Sequence, residues 1–375
     1  MEQRYFEDAI TLFQKALQVW DANGYAHGIA IIHQEFGIIA RHQQRFEEAI
    51  AHCQRALEMF ELNAVRTSAA GIYQLLGNIE TSQEHFEEAD IYYQKALQIY
   101  EAYGDEYGAA DGYTAIGNIA AKKYKPEEAS AYYRKALRVF EQFQDFYKVA
   151  VTHHNLGAVA QEQQRIEEAI AYYQNALQTF EMIGDHYSAA REYSQLGEIA
   201  QTKQQFEEAI DFYQKVLSIC EASGDRYNTF GIYYRLGSIT QKQHRFEEAI
   251  GFYQQALKIC EDIEEAKPFS AHILHCLGVI AHEKHRSEEA ISYYQEALNI
   301  YQESQNLHSA AGTHHNLGVV AQEQQHIDKA IAHYAKALMI YIAFLDRMRY
   351  THEGYNVCQS RVLAYLTRIG TAISV

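Results

Sequence analysis

The apolar positions of this chain fall in helical stripes, and the stripes return at a fixed step. In Arg245–Cys260, RFEEAIGFYQQALKIC, the apolar residues Phe246, Ala249, Ile250, Tyr253, Ala256, Leu257 and Cys260 recur at intervals of three and four, the signature of one buried helix face. Versions of the same segment read QFEEAIDFYQKVLSIC from Gln205, RIEEAIAYYQNALQTF from Arg165 and HFEEADIYYQKALQIY from His85. The alanine of this core stands at Ala9, Ala49, Ala89, Ala129, Ala169, Ala209, Ala249, Ala290 and Ala330, a step of forty with a single one-residue slip. A period of this size predicts a helical repeat array, in which each unit packs only on its neighbours.

One unit, residues 105–144, shows how each hairpin is punctuated. Asp105 can cap a helix that runs through Tyr113, Ile116, Gly117 and Ala120 to about Lys123. Tyr124-Lys125 turns the chain, and Pro126 suits the first position of a second helix carrying Ala129, Tyr132, Tyr133, Ala136, Leu137, Val139 and Phe140. At Gly104-Asp105, Gly184-Asp185 and Gly224-Asp225 the glycine can close one helix in the left-handed conformation while the aspartate caps the next. The first helices carry a hydrophobic residue followed by glycine, from Phe36-Gly37 and Leu76-Gly77 to Leu277-Gly278 and Leu317-Gly318. Glycine inside a helix costs about 1 kcal/mol against alanine, so a glycine kept in register predicts close approach of the paired helices there.

This reading divides the chain into an unpaired helix over 1–24, eight helix pairs over 25–64, 65–104, 105–144, 145–184, 185–224, 225–264, 265–305 and 306–345, and a capping helix with tail over 346–375. The last segment has Cys358 where the glycine should stand and carries Arg347, Arg349, Arg361 and Arg368. Its simplest role is the polar cap that an array needs, and the sharper one is a basic docking helix. His153–Leu177 and His314–Leu338 agree at 18 of 25 positions, the mark of a duplicated block.

Small residues at these offsets, with Tyr93, Tyr133, Tyr173, Tyr213, Tyr253, Tyr294 and Tyr334 between them, resemble the tetratricopeptide repeat. The resemblance covers about residues 5–345. The unit is longer than the family's usual ~34 residues, and the first-helix aromatic is Tyr73, Tyr113, Tyr193 or Tyr233 in some units but His33, His153 or His314 in others. Long units, Leu76-Gly77-Asn78 and the Gly-Asp junctions are most similar to Pins-type and kinesin-light-chain-like arrays. The resemblance implies an all-α, right-handed solenoid of antiparallel helix pairs whose first helices line a concave groove.

Charge and composition narrow the partners. With 49 acidic against 32 Lys and Arg residues the net charge is −17, which argues against nucleic acid and, more weakly, favours a basic protein partner. Much of the acidity has a local cause, since pairs such as Glu47-Glu48, Glu127-Glu128 and Glu247-Glu248 sit where second helices begin and there offset the helix dipole by roughly 0.3–1 kcal/mol each. The five cysteines form no CxxC pair, and no stretch is apolar enough to span a membrane or serve as a secretion signal, so a cytoplasmic protein without disulfides is expected.

Chemistry is hard to find. His272, His275, Cys276, His282 and His285 invite a metal reading, but His275 and His282 lie two helical turns, about 10 Å, apart, and no metal site or cofactor is expected. No hydrolase, P-loop or metalloprotease signature is present, so the chain is read as non-enzymatic. The candidate site is the groove, where register places Gln74, Asn78, Thr114, Asn118, His154, Gln161, Arg191, Ser194, Glu198, Tyr234, His275 and His315, with Gln201, Gln241, His282 and Gln322 alongside. This amide-rich set suits a peptide backbone.

The expected function is a non-catalytic scaffold that holds a peptide or helical segment of a partner. The alternative is the sensor module of a larger signalling protein with a nucleotide-switch or protease effector, favoured by the opening on an unpaired helix. Self-association through the terminal helices is a further expectation.

Overall fold

The structure, a computed structural model, describes residues 2–62, 66–263 and 266–347, and among these residues it has seventeen α-helices and no strand. The chain forms two compact units, residues 1–196 and 197–375. The first holds α1 (Glu2–Ala22), α2 (Ala26–His42), α3 (Phe46–Leu62), α4 (Arg66–Ser82), α5 (Phe86–Tyr103), α6 (Glu106–Lys122), α7 (Pro126–Gln142), α8 (Phe146–Glu162) and α9 (Ile166–Ile183). The division falls within α10 (His186–Thr202). The second holds α11 (Phe206–Ser223), α12 (Arg226–Lys242), α13 (Phe246–Asp262), α14 (Lys267–Glu283), α15 (Ser287–Glu303), α16 (Leu307–Glu323) and α17 (Ile327–Arg347). The cap and basic segment expected over 346–375 lie outside the described residues from 348 onward.

Within each unit the helices pack first as hairpins and then neighbour on neighbour. In the first, α2 packs on α3, α4 on α5, α6 on α7 and α8 on α9; in the second, α12 on α13, α14 on α15 and α16 on α17. The next contacts join pair to pair, as α5 to α6 and α13 to α14. The all-α solenoid class expected from the sequence is therefore the class observed.

The turns close through residues in the left-handed region. Inside a pair the chain reverses through a non-glycine residue in the left-handed region, such as Gln44, Tyr124 and Gln164 with φ of 59°, 55° and 60°. Side chains adopt that conformation at a cost, offset here by the bond that closes the helix end, as Lys125 N–H to the Ala120 carbonyl at 2.9 Å. Between pairs, Gly104, Gly184 and Gly224 take φ of 70°, 76° and 71°, whereas Gln144 and Gln305 fill the same place with φ of 56° and 55°. Asp105, Asp185 and Asp225 then accept the backbone N–H three residues on, at 2.8, 3.0 and 3.1 Å. These are the closures that the sequence predicts.

The core is built from alanines and large rings. Ala129, Tyr133, Ala136 and Phe140 of α7 are all buried, as are Ala249, Tyr253, Ala256 and Cys260 of α13. Fully burying a ring of this size stabilises by roughly 2–3 kcal/mol. The first-helix glycines serve the tyrosines. A methyl group at Gly117, Gly237 or Gly318 would stand 2.7, 2.8 or 2.5 Å from a ring carbon of Tyr133, Tyr253 or Tyr334. The expectation of a close approach thus needs one refinement: the glycine admits a phenol ring from the second helix.

Candidate functional site

Each buried second-helix tyrosine reaches past its glycine to the surface of the first helix, and its hydroxyl defines what the candidate residues do. In the first unit Tyr93 donates to Asn78 Oδ1 at 2.8 Å, Tyr133 to Asn118 Oδ1 at 2.7 Å and Tyr173 to Gln161 Oε1 at 2.9 Å. In the second, Tyr213 donates to Gln201 at 3.3 Å, Tyr253 to Gln241 at 2.9 Å and Tyr334 to Gln322 at 2.9 Å. Gln74 Oε1 accepts from Tyr100 at 3.0 Å. A buried hydroxyl without an acceptor is costly, so in these pairs amide oxygens are committed to the fold. Thr114 and Ser194 are also turned inward, each donating to a carbonyl of its own helix, Ala110 and Ala190, at 3.0 Å.

The commitment is partial. Asn78 and Asn118 remain exposed, and with the oxygen held by tyrosine the amide nitrogen of each is left to face outward with two donors. The fold therefore fixes the orientation of these carboxamides without consuming them.

His154 is held differently. Its Nδ1 lies 2.9 and 3.0 Å from the two carboxylate oxygens of Glu192, and its ring packs on Tyr173 with centroids 5.6 Å apart. Glu192 is fully buried and is met from outside by the exposed Arg191, whose Nε lies 3.3 Å away. A buried carboxylate needs such partners. The sequence signal for Glu192 was available: the equivalent place in other pairs holds Ile32, Ile72, Gly112 or Thr152. Periodicity alone does not assign it a role, because its imidazole partner stands thirty-eight residues away and meets it only through packing.

In the second unit Tyr234, His275 and His315 occupy one position on α12, α14 and α16, each against the tyrosine of its pair at 6.0, 5.5 and 5.8 Å. Burial pushes the Tyr234 phenol up to about 12, and burial, then the neighbouring His272, push His275 down to about 4, so both are neutral at pH 7. Glu198 and Gln201 line a hollow of about 420 Å³ together with Arg235 and Lys242. The Arg235 guanidinium lies over the Tyr213 ring at 5.7 Å.

The chain belongs to the tetratricopeptide-repeat family. The family's model matches residues 2–62, 68–142, 148–222, 188–262, 225–303 and 269–343. Among solved structures, the tetratricopeptide array is similar to the apo form of the quorum sensor NprR from B. thuringiensis, with TM-score 0.55 and 13% identity over 91% of this chain and 99% of that one. It is also similar to the signal-transduction ATPase with a tetratricopeptide-repeat sensor, PH0952, from Pyrococcus horikoshii, with TM-score 0.55 and 18% identity over 91% of this chain and 54% of that one. A third likeness is BtubC from P. vanneervenii, with TM-score 0.51 and 20% identity over 57% of this chain and 90% of that one. No relative is found among curated protein sequences.

The acidic pairs that open the second helices also tie tetratricopeptide units together. Lys123 meets Glu87 of the preceding pair at 3.2 Å, Lys284 meets Glu247, and Gln243 donates to Glu207 at 2.9 Å. Among the described residues no cluster of three His, Cys, Asp or Glu side chains is arranged to hold a metal ion, and no helix is long and apolar enough to cross a membrane. His282 Nε2 lies 2.8 Å from Glu323 Oε2.

Proposed function

We propose that the array is a non-catalytic scaffold whose first-helix surface binds an extended segment of a partner protein. The observation that carries this reading is the pair of oriented carboxamides at Asn78 and Asn118. Their oxygens are held at 2.8 and 2.7 Å by buried phenols, and their exposed nitrogens stand ready to donate to peptide carbonyls. His154, fixed by Glu192 and Tyr173, extends the same row. Donors that are already ordered lose little entropy on binding. A net charge of −17 inclines the scaffold toward basic segments and raises their association rate.

The test uses short random peptides displayed and selected against the full chain. Asn78→Asp with Asn118→Asp keeps an oxygen for Tyr93 and Tyr133 but removes the outward donors. Losing two donors should weaken the selected peptides by about tenfold or more, with far-UV circular dichroism unchanged. Equal binding by both proteins would remove these positions from the site. The sensor reading, suggested by the likeness to a quorum sensor and to an ATPase with a tetratricopeptide-repeat sensor, takes the same peptide interaction as its input and would gain support if binding altered hydrogen exchange in helices remote from the row.

A further inference from the structure

One arginine of the first unit stands where the register calls for a glutamine. Arg41 lies four places after Gly37, the place held by Gln161, Gln201, Gln241 and Gln322 after their own glycines. In those pairs the amide oxygen takes the proton of a buried phenol, but here the second helix carries Cys53 in place of the tyrosine. Cys53 is fully buried, and a methyl group on Gly37 would stand 3.0 Å from its Sγ. With no phenol to hold, the pair leaves the Arg41 side chain uncommitted. Its Nε is buried without a hydrogen-bond partner, and no carboxylate is paired with its guanidinium among the described residues. Other arginines of this unit are paired, Arg45 with Glu48 at 2.6 Å and Arg134 with Glu168 at 3.5 Å.

Arg41 opens onto a hollow of about 490 Å³ lined also by His42, Gln44, Phe46 and Ser82. None of these residues is acidic, although the chain carries a net charge of −17. The hollow of the second unit differs, for it sets Glu198 beside Arg235 and Lys242. The groups on which Arg41 acts inside the fold are also uncharged at pH 7: burial pushes the Cys53 thiol up to about 12 and raises the Tyr93 phenol. Ser82 donates its hydroxyl to the Asn78 carbonyl at 2.9 Å, so the hollow begins one helical turn, about 5.4 Å, beyond the carboxamide at Asn78. Arg41 is half-buried, and a guanidinium so placed gains more from an anion than a fully exposed one, because less water screens the pair.

We propose that this hollow is a subsite for an aspartate or glutamate side chain of the bound peptide. The carboxylate pairs with the guanidinium from the solvent side, where the planar fork of an arginine suits two oxygens. The exposed Gln44 amide is a further donor at the rim, and the Phe46 ring lines the wall beside the methylene stem. A lysine or arginine head would meet a like charge, and a neutral amide would leave the guanidinium without its counter-ion. The subsite rests on the peptide-binding reading above and deepens it. The segment stays basic elsewhere, as the net charge favours, with one acidic residue fixed beside Asn78, all within the first unit.

The experiment measures the selected peptides, synthesised with amidated ends, against the native full chain, Arg41→Gln and Arg41→Lys. The selected sequences should share Asp or Glu at one fixed place. Replacing that residue with its amide, or Arg41 with glutamine, should each weaken Kd by about tenfold or more, the effect of one charge-assisted pair. Making both changes together should cost no more than either alone. Arg41→Lys keeps a cation at the end of α2 without the planar fork, so its affinity should fall between the other two. Far-UV circular dichroism should be unchanged in both variants, which separates lost binding from misfolding. Selected peptides without a fixed acidic residue, or bound equally by native and Arg41→Gln proteins, overturn the subsite. Binding that amidation of the peptide end abolishes also overturns it, by assigning the charge to a terminal carboxylate. If such peptides still respond to Asn78→Asp with Asn118→Asp, the scaffold reading survives alone. If no peptide is selected, both readings fall.

Discussion

Two glycines of the same helix should respond differently to alanine. Gly231 and Gly237 both lie in α12. A methyl group on Gly231 meets nothing within 4 Å, whereas on Gly237 it meets Tyr253 Cδ1 and Cε1 at 2.8 Å and Cγ at 3.1 Å. The propensity gain is common to both, about 1 kcal/mol for alanine over glycine in a helix interior. At Gly231 that gain stands alone, so Gly231→Ala should stabilise by about 1 kcal/mol. At Gly237 the ring is 0% exposed and cannot retreat, so overpacking subtracts about 1–3 kcal/mol. The net for Gly237→Ala runs from neutral to a loss of about 2 kcal/mol, leaving the two variants about 1–3 kcal/mol apart.

Repeat arrays need not unfold in one step, so a single midpoint can hide a local effect. Native-state hydrogen exchange of the α12 and α13 amides reads the affected pair directly. A double-mutant cycle with Tyr253→Leu completes the argument, because removing the ring should restore most of the propensity gain at position 237. If Gly237→Ala slows exchange as much as Gly231→Ala does, the ring contact is not what keeps glycine there, and the account of the glycine row is wrong.

Further outcomes follow from other features. Tyr124 is 89% exposed and sits at φ 55°, so Tyr124→Gly should relieve left-handed strain and stabilise the α6–α7 pair by about 1 kcal/mol in urea titration. Burial, then a second imidazole, lowers the pKa of His33 and of His314, the latter to about 4. Their Nδ1 atoms lie 2.9 and 3.1 Å from those of His52 and His333. Because the folded pKa lies below the unfolded value of 6.5, the unfolded chain binds more protons between the two values, and stability falls as pH drops from 6.5 toward 4. Replacing His314 and His333 with tyrosine, the residues of the Tyr73–Tyr92 stack, should flatten that part of the profile of urea midpoint against pH.

The fold was legible because a solenoid repeats its local rules. Forty-residue spacing of Ala49, Ala89 and Ala129 fixes which helix faces are buried, and Gly-Asp junctions fix where hairpins close, so sequence alone determined the class, the helix order and the caps. The candidate row was legible only as a set of positions. Register could place Asn78, Gln161 and Gln241 on first helices, but it could not say that a phenol from the second helix had claimed each oxygen. That depends on how far a tyrosine reaches past a glycine, a distance set by packing between helices. The same packing pairs His154 with the buried Glu192, thirty-eight residues away, and leaves the Arg41 Nε without a partner among the described residues. Sequence periodicity reports which side chains face a neighbour; only tertiary structure decides which polar atoms are spent in meeting it and which remain for a partner.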